Sequence, residues 1–546
     1  MDIQKKIARI AAMSLCAAVA AVSLAGTPAL SVKAASTDTP YNVTVGIGSK
    51  ETEVRFNWLS TSSATGKLQI AKTSEMAGSS FPANSTRSAA ISEVTSAEGV
   101  LDNSSSASDH PVSYYKAQNG TDSLQDEYAN KVTVSGLDLG TSYTYRVGDG
   151  TNWSQNYTFT TAASIDKGYN FVAVGDPQLG AGGDLASDTS KWAASLQTIG
   201  SKLPNSNFLL SLGDEVNNYD HLYTQQQEYA GFFNPDPTGN YLQTHVLAAF
   251  SGNHDFQMGK YYSYHYNQPN LSALGQTITH NVPDANGDYS FTYGNTLFMV
   301  LEGNNFYGVS DHDAFMKAAV DANPNVKWKV VAFHQAPYSE ANHDDANSPD
   351  DDIVFMRQNW TKLMDKYNVD VVLNGHDHYY TRSFQMLGGT PVDTNKVSSV
   401  TNPQGTVYFT LDSGSGSKYY KYNATAQHFF SAFGWQNNKP TYTSAQVTDQ
   451  AFTLTTYTTD SDTPIDTYTI NKTPAPTTSS PSSEVSTGPT GTNTTSTTSS
   501  TVTASSDTSG NPKTSDRTDT LLFLIPGVLL VLASAGYLVL RSRKRI

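Results

Sequence analysis

Val369-Asp-Val-Val-Leu373 is an apolar run that stops at Asn374 and gives way to Gly375-His376-Asp377-His378. The same grammar stands four more times upstream. Asn170-Phe-Val-Ala-Val174 leads into Gly175-Asp176-Pro177-Gln178, and Asn207-Phe-Leu-Leu-Ser-Leu212 leads into Gly213-Asp214. His245-Val-Leu-Ala-Ala-Phe250 leads to Gly252-Asn253-His254-Asp255, and Lys327-Trp-Lys-Val-Val-Ala-Phe333 leads to His334. Short continuous apolar runs of this kind read as strands buried on both faces. Between them lie helical spacings: Trp192, Leu196 and Ile199; Phe315, Ala318 and Ala319; Phe355, Trp360, Leu363 and Met364. Ser310 is the expected N-cap before Asp311. From Gly168 on, the alternation predicts an α/β (α+β) fold with a sheet covered on both faces.

Each polar strand end has an ordinary reading when taken alone. Gly-Asp and Gly-Asn are common turns, a lone His334 is a hydrogen-bonded core histidine, and Gly-His-Asp-His is an exposed loop. Five in order, each closing an apolar strand, call for something more. Ligands of open α/β sheets bind beyond the carboxyl ends of the strands, so five such ends delivering Asp, Asn and His converge on one polar site. Glycine precedes four of them, which predicts sharp turns that expose the next side chain.

This order resembles the calcineurin-like metallophosphoesterase superfamily, from about Gly168 to Lys472, and the resemblance implies an α/β (α+β) sandwich of two sheets flanked by helices over residues 168–472. Upstream, residues 40–162 alternate with period two: Val43, Val45 and Ile47; Val54, Phe56 and Trp58; then Lys131–Val134, Tyr143–Val147 and Tyr157–Thr160. That predicts an all-β antiparallel sandwich, and Gly136 to Val147 resembles the late strands of a fibronectin type III domain. No catalytic cluster appears there, so packing against the next domain is its expected role. The two-domain chain resembles a purple acid phosphatase. Tyr289 to Leu301 is similar to the hairpin that enters that family's second sheet, and Gly375 to Ser383 to its fifth motif and continuation.

The resemblance implies two metal ions, divalent Mn, Fe or Zn. Asp176, Asp214 and His378 would hold the first, and Asn253, His334 and His376 the second, with Asp214 bridging. Gln178 stands where many members have His, so it is either a weaker, neutral ligand or a neighbour of the ligands. Two such ions about 3.5–4 Å apart lower the pKa of a bound water and neutralise phosphoryl oxygens. His254 would protonate the leaving oxygen, with Asp255 orienting its ring or capping the turn. Arg382 and His343 are weaker candidates for substrate contact; a carboxylate of the fold and plain solvent are their ordinary partners. Tyr261, Tyr262, Tyr264 and Tyr266 crowd the loop after the third motif, for packing or for stacking on a leaving group.

The implied activity is metal-dependent phosphoric ester hydrolysis, of the acid phosphatase-like monoester kind, on phosphorylated small molecules. A phosphodiesterase on nucleotides or glycerophosphodiesters uses the same metals. A non-catalytic adhesin is the alternative from another class. Among 546 residues, 49 acidic side chains outnumber 34 Lys and Arg, which argues against a nucleic-acid duplex as partner. Cys16 is the single cysteine, so no intramolecular disulfide and no four-cysteine zinc site is possible.

Both termini read as addresses. Lys5, Lys6 and Arg9, an apolar stretch from Ile7 to Gly26, and Ala34-Ala35 follow the order of a secretory signal, over residues 1–35. Residues 473–510 are mostly Ser and Thr, which predicts a disordered stalk. Asn511-Pro-Lys-Thr-Ser515, an apolar span at 521–540 long enough for a transmembrane helix, and the basic tail 541–546 together resemble a sortase sorting signal of Gram-positive bacteria. Export, display at the cell surface, and sortase and peptidoglycan as partners are the expectations.

Overall fold

The computed structural model describes residues 39–473, except 97–109, 120–123, 164, 166–167, 220, 237–238, 259, 276–277, 280–281, 284–286, 342–351 and 426–427. The expected leader, the stalk beyond Thr473, the sorting signal and His343 lie outside the described residues. No helix among the described residues is long and apolar enough to cross a membrane.

Two sheets face each other across an apolar core that includes Phe171, Phe208, Leu210, Phe298, Val330 and Leu373. In the first, Tyr169–Val174, Leu209–Ser211 and Leu247–Ala249 run parallel. In the second, Trp328–Ala332, Val371–Asn374 and Val407–Thr410 run parallel beside the hairpin Tyr289–Tyr293 and Thr296–Val300. Because all side chains of these central strands meet either the opposing sheet or a helix, both faces must be apolar, and continuous rather than alternating runs result.

Helices cover the outer faces. Leu185–Lys202 is capped by Asp184, whose side chain accepts from the N–H groups of Ala186 and Ser187. It buries Trp192, Leu196 and Ile199, as their spacing predicts. Val309–Ala322 starts two residues earlier than expected: Ser310 lies inside its first turn, and Gly308 occupies the N-cap without a side-chain bond. Its apolar face runs through His312, Phe315, Met316 and Ala319, leaving Ala318 exposed. Asp352–Tyr367 buries Trp360, Leu363 and Met364, while half-buried Phe355 packs its ring against Phe306 and Tyr307.

The N-terminal β region forms two facing layers around Phe56, Trp58, Tyr145 and Phe159. It is not a separate sandwich. Tyr41–Ile47 pairs in parallel with Leu247–Ala249, so one eleven-stranded sheet runs through both parts. Gly46 pairs with Leu247 on this side and with Arg55 on the other; a Cβ there would stand 2.9 Å from the Arg55 carbonyl oxygen and at an ordinary 3.8 Å from that of Leu247. Val112, Tyr115 and Leu124 join the core of the helices on the catalytic side. Glu127, fully buried, accepts hydrogen bonds from Tyr41 and from Tyr261 across the junction, at 3.0 and 2.9 Å. The tyrosines after the third motif are therefore used for packing: Tyr261, Tyr262 and Tyr266 are buried.

Candidate metal centre

The strand ends are tied to one another by their own polar groups. The His376 N–H donates to both oxygens of Asp176, at 3.0 and 2.9 Å. The His254 N–H donates to Asp214 Oδ1 at 2.9 Å, and the Gln178 N–H to the Asp214 carbonyl at 2.7 Å. These bonds tie four of the five motifs together: the fifth to the first, and the first and third to the second.

The backbone itself is strained here. Twelve non-glycine residues among those described have left-handed φ; seven are Asn, and the other five are Asp176, Gln178, Asp214, His376 and His378. Such conformations cost on the order of 1 kcal/mol each for residues of these types, and they persist where function over-determines them. Of the preceding glycines, Gly213 turns through a left-handed φ of 89°, whereas Gly175, Gly252 and Gly375 supply room. A Cβ on Gly252 would lie 2.0 Å from Asp214 Oδ1, and one on Gly375 would lie 2.6 Å from Asp176 Oδ2.

Asp176, Asp214 and His334 are buried, and each offers a donor atom within 4.8 Å of the others. His334 Nε2 lies 3.3 Å from Asp214 Oδ2 and 3.7 Å from Asp176 Oδ1; His378 Nε2 also lies 3.7 Å from Asp176 Oδ1. Asn253 Oδ1 meets His376 Nδ1 at 2.9 Å, and the His334 and His376 rings are 5.1 Å apart. All four histidines give their Nδ1 proton to a carbonyl or amide oxygen: His334 to Leu212, His378 to Lys418, His254 to Asn217 and His376 to Asn253. A carbonyl oxygen only accepts, so each ring is held in one tautomer with Nε2 turned elsewhere.

Burial pushes the Asp176 carboxyl up to about 8, with the cation of His334 opposing and the Asp214 charge adding to it. Burial would also raise Asp214, yet the His334 and His254 charges outweigh it and hold this carboxyl far below its ordinary range. Burial works against the His334 imidazolium, and the two carboxylates overcome it, placing this ring at about 10. Burial keeps His378 neutral, down at about 3. Buried charge of this density is stable only when a cation neutralises it.

The residues fit metal ions. Asp176, Asp214 and His334 form an oxygen-and-nitrogen donor set without sulfur, suited to divalent Mn, Fe or Zn. Gln178 is buried with both amide atoms unbonded, and His334 Nε2 lacks a hydrogen bond as well. Orphaned polar atoms at that depth call for a partner.

Comparison with known proteins agrees with this geometry. Residues 169–380 match the family model described as calcineurin-like phosphoesterase, and residues 40–161 match the purple acid phosphatase N-terminal domain. Residues 169–380 thus read as a calcineurin-like phosphoesterase domain, over less than half of the chain. Uncharacterised proteins of Mycobacterium tuberculosis, from strains CDC 1551 and H37Rv, are each 32% identical over 153 residues, covering 24% of this chain and 28% of the relative. The match therefore spans under a third of those relatives. The purple acid phosphatase of yellow lupin (Lupinus luteus) seeds is similar in fold, with a TM-score of 0.58 at 16% identity over 80% of this chain and 75% of that one. PhoD aligns with a TM-score of 0.48 at 12% identity, over 80% of this chain and 91% of that one.

Within the metallophosphoesterase domain three expectations need correction or bounding. Asp255 does not touch the His254 ring. Its carboxylate accepts from the Gly252 N–H at 2.8 Å, the Glu215 N–H at 3.3 Å and the Tyr229 hydroxyl at 3.2 Å, so it caps the turn. The oxygen that orients His254 is the Asn217 carbonyl, and the Tyr219 ring lies beside that imidazole at 5.3 Å. Arg382 is spent within the fold: it grips both oxygens of Asp466 at 2.6 and 3.2 Å and lies over the Tyr468 ring. The pair is almost fully buried, and freeing the guanidinium for substrate would strand Asp466. His343 belongs to the residues outside the description.

A sixth strand end was missed. Val407–Thr410 is followed by Leu411 and then Asp412-Ser-Gly-Ser-Gly-Ser-Lys418, the same apolar-then-polar pattern without a histidine to draw attention. Its serines clamp the first motif: Ser413 donates to the Asp176 carbonyl at 3.0 Å, and Ser415 and Ser417 both donate to the Pro177 carbonyl. Asn304 was missed as well; its amide donates to the Gly252 carbonyl at 3.2 Å and steadies the Asn253 turn.

Gln178 supplies a direct test of the donor set. Gln178→Ala is expected to weaken metal binding by about tenfold or more, and Gln178→His to keep or tighten it, as read by metal titration. Equal affinity in both variants and wild type would place the amide outside the ligand set.

Proposed function

We propose that this protein is a surface-displayed, binuclear-metal phosphoesterase that hydrolyses phosphate monoesters. The observation that carries this reading is the convergence of Asp176, Asp214 and His334 within 4.8 Å at the ends of parallel strands, inside a domain that matches the calcineurin-like model. Asp176, Asp214, His378 and the Gln178 amide would hold one ion, and Asn253, His334 and His376 the other, with Asp214 shared. When bound, the ions supply the positive charge that activates water and neutralises phosphoryl oxygens.

The chain's own residues do the rest. His254, part-exposed, fixed through Nδ1 and joined to Asp214 by its N–H, would deliver a proton from Nε2 to the departing oxygen. The laterally bonded turns hold the donors in place before substrate arrives, so little reorganisation remains for the reaction step. The cluster of Ser413, Ser415 and Ser417 keeps the Asp176–Pro177 turn from relaxing out of its strained conformation. The test is hydrolysis of 4-nitrophenyl phosphate against bis(4-nitrophenyl) phosphate by the metal-loaded protein. Faster monoester turnover supports this reading, and diester-only turnover favours the phosphodiesterase alternative.

Export and wall attachment are proposed from the terminal sequences. Thr514 is the residue after which a sortase would cut in Asn511-Pro-Lys-Thr-Ser515. Thr514→Ala is expected to leave the protein in the membrane fraction. Extraction of the wild type by detergent without wall digestion would contradict sortase anchoring.

A further inference from the structure

The segment after the sixth strand brings one cation to the centre. Lys418 gives its carbonyl to His378 Nδ1 at 3.0 Å, and two residues on, the Tyr420 N–H donates back to the His378 carbonyl at 3.2 Å. The Tyr420 ring stands edge-on to the His378 imidazole, with centroids 5.1 Å apart. The Lys418 ammonium lies over that same ring, 4.7 Å from its centre. The backbone of 418–420 is thus fastened to the last motif, and the cation–π contact fixes where the long side chain ends. Lys418 is part-exposed, and among the described residues no carboxylate pairs with it. Its charge is felt at Asp176 and at His378, on the side of the cluster assigned to the first ion.

A part-exposed ammonium, held by an aromatic ring beside a cluster of metal donors and without a carboxylate partner among the described residues, is placed for an anion. Arg382, the other cation of the adjoining strand, is consumed by Asp466. A phosphate monoester near neutral pH carries up to two negative charges, because its second pKa is about 6. A diester carries one, and puts a second substituent where the monoester has a bare oxygen. An extra cation therefore favours the monoester more than the diester.

We propose that Lys418 is a substrate-phosphate contact, held by Tyr420 and selecting the dianionic head of a phosphate monoester over a diester. This rests on the phosphoesterase reading of the same site and names its substrate class.

The experiment compares metal-loaded wild type with Lys418→Met and Lys418→Arg, using 4-nitrophenyl phosphate, bis(4-nitrophenyl) phosphate, and inorganic phosphate binding followed by calorimetry. Lys418→Met is expected to lower monoester kcat/KM by about 30-fold and weaken phosphate binding by about tenfold. Diester kcat/KM changes less than about threefold, metal content stays the same, and Lys418→Arg restores most of the loss. Unchanged monoester rate and phosphate affinity in Lys418→Met, from an active wild type, overturn the Lys418 assignment and leave the phosphoesterase reading standing. Equal losses on both esters with loss of metal also overturn it, since the segment then only holds His378. A metal-loaded wild type that hydrolyses neither ester and does not bind phosphate overturns both.

Discussion

Asp214→Asn is expected to lower monoester turnover by about 10³-fold or more, roughly 4 kcal/mol of transition-state stabilisation, and to exceed every other single substitution at the site. Asp214 stands at the crossing of the network. Its carboxylate takes the His254 N–H and faces His334 Nε2, and its main-chain oxygen takes the Gln178 N–H. The amide keeps the shape but removes the charge that both assigned ions would share. It also leaves the His334 imidazole with Asp176 as its remaining carboxylate neighbour. Steady-state kinetics with metal analysis of the same sample provide the check. A loss below about tenfold would remove the shared-carboxylate assignment.

His254→Ala should behave differently: metal content unchanged, turnover lower by about 10²–10⁴-fold. The ring is fastened by Nδ1 to the Asn217 carbonyl and lies against Tyr219, so it is positioned without being among the clustered donors. Because the lost step is protonation of the leaving oxygen, the deficit should shrink for esters of acidic phenols and grow for alkyl phosphates. Metal content falling in parallel with activity would make His254 a ligand and refute its role as proton donor.

The five motif-bearing strand ends were legible because their signal is local: an apolar run and then a donor side chain, with a glycine before it at four of the five. The helix faces were legible for the same reason, through Trp192, Leu196 and Ile199. What escaped depends on distant partners. Nothing near Arg382 announces Asp466, which lies on a strand far along the chain and takes both guanidinium bonds. Nothing near Gly46 announces its parallel pairing with Leu247, which joins the N-terminal layer to the main sheet. The left-handed conformations at Asp176, Gln178, Asp214, His376 and His378 are uncommon for any residue but glycine, and although Asp and His adopt them more often than most, nothing local says which of them will. The sixth strand end, with Ser413 to Lys418, followed the rule in full and was passed over because serine and lysine lack the signature of metal ligands.

The central claim is that the clustered donors hold two ions and that hydrolysis depends on both. The direct measurement is a titration of the metal-stripped full-length protein with Mn(II) or Zn(II), following bound metal per chain and 4-nitrophenyl phosphate hydrolysis together. Two ions per chain are expected, with activity rising as the second is taken up and lost again with chelator. Hydrolysis that survives stripping, or full activity with a single ion bound, would contradict the account.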